Sequence, residues 1–115
     1  MTTDAGVPAV GPAEGRALVD AGAQLLDVRE VDEWRAGHAR DAHFIPLGEL
    51  EARTGEVARD RRVVAICRSG ARSERATQFL RAAGFDAVNL TGGMRAWATA
   101  GLDVVTDDGA AGTVI

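Results

Sequence analysis

Behind Pro12, a residue suited to a first helical turn, Ala13, Ala17, Leu18 and Ala21 recur at helical spacing until Gly22 stops the pattern, which predicts a first helix. Gln24–Val28 follows as a short, nearly continuous apolar segment, the texture of a strand covered on both faces. Glu30–Ala36 predicts a brief helix closed by Gly37, His43–Ile45 a short strand halted by Pro46, and Leu47–Ala52 another short helix. Arg62–Cys67 is the clearest strand, and Arg72–Ala83 places Ala76, Phe79, Leu80 and Ala83 on one helical face before Gly84. Asp86–Leu90 predicts a last strand, Gly92-Gly93 a tight turn, and Met94–Ala100 a final helix ended by Gly101. Strands alternating with helices at these spacings predict an α/β fold, a parallel sheet covered on both faces with the binding site at the carboxyl edge of the strands. The small, polar stretches Met1–Gly6 and Asp103–Ile115 predict flexible ends and leave residues 7–102 as the domain.

Composition narrows the function classes. At 115 residues the chain has room for one domain, and 46% hydrophobic with 26% charged residues lets it build a core. No apolar run approaches the ~20 residues of a membrane span, and no basic segment precedes an apolar one near Met1, so a soluble, cytoplasmic protein without a membrane partner is expected. A net charge of -4 argues against nucleic acid. All 13 basic residues are arginine, which excludes lysine Schiff-base chemistry and leaves guanidinium forks and backbone amides to hold any anion. With one cysteine and two histidines, His38 and His43, a structural zinc site lacks ligands, and neither metal nor cofactor is expected.

The chemistry concentrates at Cys67-Arg68-Ser69-Gly70-Ala71-Arg72-Ser73. A cysteine that ends a buried strand and leads through a short polar loop into a helix has loop amides and a helix N-terminus directed at its sulfur, a field that favours thiolate over thiol. Gly70 allows the backbone to turn in, Arg68 and Arg72 flank an anion-sized hollow, and Ser69 and Ser73 donate or cap. A lone cysteine at a strand end is more often a small buried hydrophobe, but these neighbours within six residues reverse that balance.

Leu26-Asp27-Val28-Arg29, Glu33-Trp34, Gly37-His38, Ile45-Pro46-Leu47, the Cys67–Ser73 loop and Leu90-Thr91-Gly92-Gly93-Met94-Arg95-Ala96-Trp97 stand in an order and spacing that resembles the rhodanese-like single-domain sulfurtransferases. The resemblance covers about Val7–Leu102 and implies a five-stranded parallel sheet, with Cys67 accepting sulfane sulfur as a persulfide and residues Arg68 to Arg72 completing the active-site loop. It implies transfer from a small donor such as thiosulfate to cyanide, a thiol or a protein acceptor; a monomer is expected. One departure is Gly37-His38-Ala39-Arg40-Asp41-Ala42, where the family usually carries Gly-His-Ile-Pro-Gly-Ala; this is read as a variation at the site's rim, with Arg40 and Asp41 altering the charge of the mouth.

Two rival readings keep the same loop. Cysteine phosphatases place five residues between cysteine and arginine, whereas Cys67 and Arg72 enclose four. A non-enzymatic partner-binding or sulfur-carrier module is the other. Among supporting residues, Asp27 either faces the active-site loop or caps the turn after its strand, and Arg29 stands four residues before Glu33, where an ion pair is the simplest account. His38 is read as a hydrogen-bonded structural residue, His43 as structural or exposed, and Trp34 and Trp97 as helix–sheet packing.

Overall fold

The computed structural model describes residues 6–115; Met1–Ala5 of the expected loose N-terminal segment lie outside the described residues. Five strands, β1 (Ala9–Val10), β2 (Gln24–Asp27), β3 (Ala42–Phe44), β4 (Val63–Ile66) and β5 (Ala87–Leu90), form one parallel sheet in the order β1-β5-β4-β2-β3. The helices are α1 (Pro12–Asp20), α2 (Val31–Ala36), α3 (Ala71–Ala82) and α4 (Gly93–Thr99).

Side-chain alternation along β4 divides the core. Val63, Ala65 and Cys67 face Ala76 and Leu80 of α3, while Val64 and Ile66 join Met94 and Trp97 of α4 on the opposite face. Both layers are sealed, which is why β4 reads as an unbroken apolar run. The same alternation decides where Cys67 points: one residue past the strand, it continues the α3 face at the carboxyl edge.

Three expectations are corrected. The residue pattern misses β1, because two residues, Ala9 and Val10, are too short to show a period; they pair with Asn89 and Leu90 of β5. The helix expected over Leu47–Ala52 is replaced by two 3-10 turns, Leu47–Glu49 and Thr54–Glu56, and Leu50 and Val57 anchor this segment in the core. Asp103–Ile115 does not leave the domain as a free tail. His38 and Val105 exchange two backbone hydrogen bonds of 2.8 Å, the Thr113 N–H donates to the Ala36 carbonyl, and the Trp97 indole N–H donates to the Asp103 carbonyl. These partners are mostly backbone groups, invisible to a reading based on hydrophobic side chains. Among the described residues no helix is long and apolar enough to cross a membrane.

Candidate active site

β4 delivers Cys67 to the carboxyl edge, and the chain turns through Arg68, Ser69 and Gly70 into α3. Gly70 adopts φ 118°, ψ -19°, the left-handed region that disfavours any side chain, and this turn aims its N–H at the sulfur, 3.0 Å from Sγ. The Ser73 hydroxyl, one turn into α3, lies 3.3 Å from Sγ. Burial pushes the Cys67 thiol up, but the Ser73 hydroxyl and the amides of Ser73, Gly70 and Ser69 together outweigh it and bring the thiol below its ordinary pKa. The side chain is buried, yet the neighbouring amides converge on it, which is the arrangement of a stabilised anion rather than of an inert core cysteine.

The amides face inward because α4 holds the opposite side of the loop. Met94 N–H donates to the Cys67 carbonyl at 2.7 Å and Arg95 N–H to the Arg68 carbonyl at 3.0 Å. In a planar trans peptide the carbonyl and the following N–H point in opposite directions, so an Arg68 carbonyl tied to α4 turns the Ser69 N–H toward the sulfur. Gly93 makes this approach possible: at φ 60°, a Cβ there would collide with the carbonyls of Cys67 and Arg68.

Arg72 and Arg68 are not free forks over the sulfur. Arg72 Nη1 and Nη2 donate to the two carboxylate oxygens of Glu33 at 2.7 and 2.8 Å, linking α3 to α2. That fork, opposed by partial burial and helped by the Glu30 amide, brings the Glu33 carboxyl down to about 2. Glu33 raises the Arg72 pKa in turn, with a further contribution from the Cys67 thiolate. Arg68 is exposed, and its Nε donates to the Ile115 backbone oxygen at 2.8 Å. Ser69 and Ala71 are exposed, while Ser73 is fully buried.

The expected Arg29–Glu33 pair is absent. Arg29 instead folds back on Asp27, two residues earlier, with Nη2 2.8 Å from Oδ2 and both side chains fully buried. Glu33 lies beyond it because Glu30 and Glu33 close a capping box at the start of α2, which turns Glu33 toward Arg72. Of the two readings of Asp27, the turn-capping one holds: its Oδ1 accepts the Arg29 N–H at 3.1 Å. Arg29 Nη2 also donates to the Gly37 carbonyl at 2.8 Å, so the buried pair fixes both ends of α2 and thereby the position of Glu33.

The departure at Ala39–Asp41 does not reach the mouth of the site. It precedes β3, whose first residue Ala42 pairs with Leu25 at the amino end of the sheet. Arg40 pairs with Asp103 and Asp41 with Arg16 of α1. His38 is hydrogen-bonded as expected, with Nε2 2.9 Å from Asp107 and its ring stacked on Trp34; His43 is exposed against Glu56. Trp97 is fully buried against the sheet, and Trp34 stacks on Phe44 of β3.

A family profile described as Rhodanese-like domain matches residues 12–100. The chain belongs to this family. A sulfurtransferase of Allochromatium vinosum is 42% identical over 86 residues, 74% of this chain and 80% of that protein. YrkF of Bacillus subtilis, whose name carries the provisional description of sulfur carrier protein, is 40% identical over 79 residues. That match spans 68% of this chain but 43% of the relative's own length. The crystal structure of a rhodanese-related protein from Thermoplasma volcanium superimposes with a TM-score of 0.82 at 31% identity, covering 87% of this chain and 99% of that one. Within the rhodanese-like fold of this chain, the residues missed by the sequence reading are Asn89, which joins Ser73, and Glu33 in its role toward Arg72. Asn89 did carry a signal, a polar side chain inside the otherwise apolar run Ala87–Leu90.

Proposed function

We propose that Cys67 transfers sulfane sulfur by double displacement. The thiolate attacks the outer sulfur of a donor such as thiosulfate; the donor's S–S bond breaks, sulfite departs with the electron pair, and Cys67 carries a persulfide anion. An acceptor nucleophile then attacks the outer sulfur and Cys67 leaves as thiolate. Cyanide gives thiocyanate in this step, and a thiol gives its own persulfide. The observation that carries the reading is the convergence of the Gly70 N–H and the Ser73 hydroxyl on Sγ, because a preorganised donor set stabilises an anion held there. The chain has one cysteine, so the acceptor comes from outside it.

Arg68 is the better contact for the donor's sulfonate, since it is exposed and only its Nε is engaged, by Ile115, whereas Arg72 acts on the loop from its fork with Glu33. That fork also weakens the phosphatase reading, which needs the loop arginine free for phosphoryl oxygens. The free cysteine suits a reducing compartment such as the cytoplasm. Exposure of large apolar side chains limited to Val31 and Ile115 among the described residues suits a monomer. Mass spectrometry of the intact protein after thiosulfate tests the core of this reading. A gain of about 32 Da, reversed by cyanide and absent from Cys67→Ser, is expected. No gain, or a gain that persists in the serine variant, refutes it; hydrolysis of an aryl phosphate without the gain favours the phosphatase.

A further inference from the structure

Asn89 is a polar side chain in the buried strand β5, 8% exposed, and it reaches the catalytic cysteine through one intermediary. Its Nδ2 donates to the Gly70 carbonyl at 3.2 Å, and its Oδ1 accepts from the Ser73 hydroxyl at 2.6 Å. This orientation is determined by chemistry: a carbonyl only accepts, so the amide nitrogen must face Gly70 and the oxygen must face Ser73.

The Ser73 hydroxyl has a single proton and three acceptors within reach, Asn89 Oδ1 at 2.6 Å, Gly70 O at 3.2 Å and Cys67 Sγ at 3.3 Å. With Cys67 as a thiol, the S–H donates to Ser73 Oγ and the Ser73 proton goes to Asn89 Oδ1, so the sulfur proton and the amide oxygen both have partners. With Cys67 as a thiolate, the sulfur has no proton to give and accepts the Ser73 proton, which leaves Asn89 Oδ1 buried without it. Ionising the sulfur therefore sets Cys67 and Asn89 in competition for the one Ser73 proton.

We propose that Asn89 is a positioning residue that shares the Ser73 proton with Cys67, holding it while the sulfur is a thiol and yielding it when the sulfur is an anion. The proposal rests on Cys67 being the nucleophile. Its consequence is a moderated thiolate: thiol nucleophilicity falls as the thiol becomes more acidic, so a competitor for one donor keeps the sulfur reactive. The charged groups on the surrounding elements are Arg72 of α3 with Glu33 of α2, Arg68 in the loop, the Asp27–Arg29 pair at the end of β2, and Arg95 on α4. Glu74 and Arg75, next on α3, reach solvent. Among the described residues none of these side chains bonds to Asn89 or Ser73, so an uncharged replacement of Asn89 leaves their pairings in place.

The test is the pH dependence of Cys67 alkylation by iodoacetamide in the full chain, for wild type, Asn89→Leu, Ser73→Ala and the double variant. Leucine matches the shape of asparagine without its polar atoms. Asn89→Leu is expected to lower the midpoint by about one pH unit, the scale of one hydrogen bond, and Ser73→Ala to raise it. In the Ser73→Ala background the Asn89 change is expected to lower nothing, because no proton is left to share. An Asn89→Leu midpoint that is unchanged or raised overturns the proposal. So does an equal shift in both backgrounds, which would mean that Asn89 acts only through Gly70. If the leucine variant fails to fold, Asn89→Ala carries the same expectations. Alkylation does not depend on sulfur transfer: loss of the persulfide with this pattern intact sinks the sulfurtransferase reading and leaves the proton-sharing one standing.

Discussion

Replacing Glu33 with glutamine removes the charge held by the Arg72 fork and, to a lesser degree, by the Glu30 N–H, while the amide keeps the shape. Glu33 is pulled from an ordinary value near 4.5 to about 2, chiefly by its bond to Arg72, and its side chain is only 13% exposed. A shift of that size corresponds to about 3 kcal/mol of folding stability at neutral pH. The carboxyl is more acidic folded than unfolded, so this contribution is fully present above the unfolded pKa and is lost as pH falls through the window from about 4.5 to about 2. Urea unfolding of both proteins between pH 7 and pH 2.5 measures it. The expected result is a variant less stable by about 2–3 kcal/mol at pH 7, with the gap closing as the pH falls, since wild type loses what the variant never had. Other carboxylates, Glu56 and Asp108 among them, also titrate in acid, but they do so in both proteins and cancel in the difference. A gap of constant size from pH 7 to pH 2.5 would show that the variant suffers from packing and that the ion pair is not the cause.

Gly93→Ala has no room for its methyl against the Cys67 and Arg68 carbonyls, and should cost about 1–3 kcal/mol while raising the alkylation midpoint of Cys67, because the loop amides lose their aim. Unaltered alkylation in a folded variant would show that α4 does not orient the loop. Arg72→Leu removes a cation that interacts with the thiolate and leaves Glu33 unpaired, so the apparent KM for thiosulfate should rise and alkylation at pH 7 should slow; wild-type kinetics would remove Arg72 from the site.

What was legible in the sequence is what the chain carries locally. The run Val63–Cys67 and the Gly70 turn into α3 lie within a few residues of one another, and their order alone places the sulfur at a strand's carboxyl edge beneath inward amides. Asp27 and Arg29 show the limit of that logic. Four-residue spacing pairs Arg29 with Glu33 only if both lie on one helix, but Arg29 precedes α2, and the capping box at Glu30 sends Glu33 elsewhere. The site's supports come from distant parts of the chain: Glu33 is 39 residues from Arg72, Asn89 is 16 from Ser73, and Ile115 is 47 from Arg68. The Glu33 and Asn89 contacts exist because the order β1-β5-β4-β2-β3 sets β2 and β5 on either side of β4 and so brings α2 and β5 up to α3. The fold therefore contributes more to the chemistry than a scaffold for the loop. Cys67 and its amides can be written in seven consecutive residues, but the acidity of that sulfur depends on a carbonyl pinned by α4, a guanidinium held by α2 and a hydroxyl shared with β5. Chains with the same seven residues on differently supported edges should differ in thiolate character, and Asn89, Glu33 and Gly93 are where this chain exerts that control.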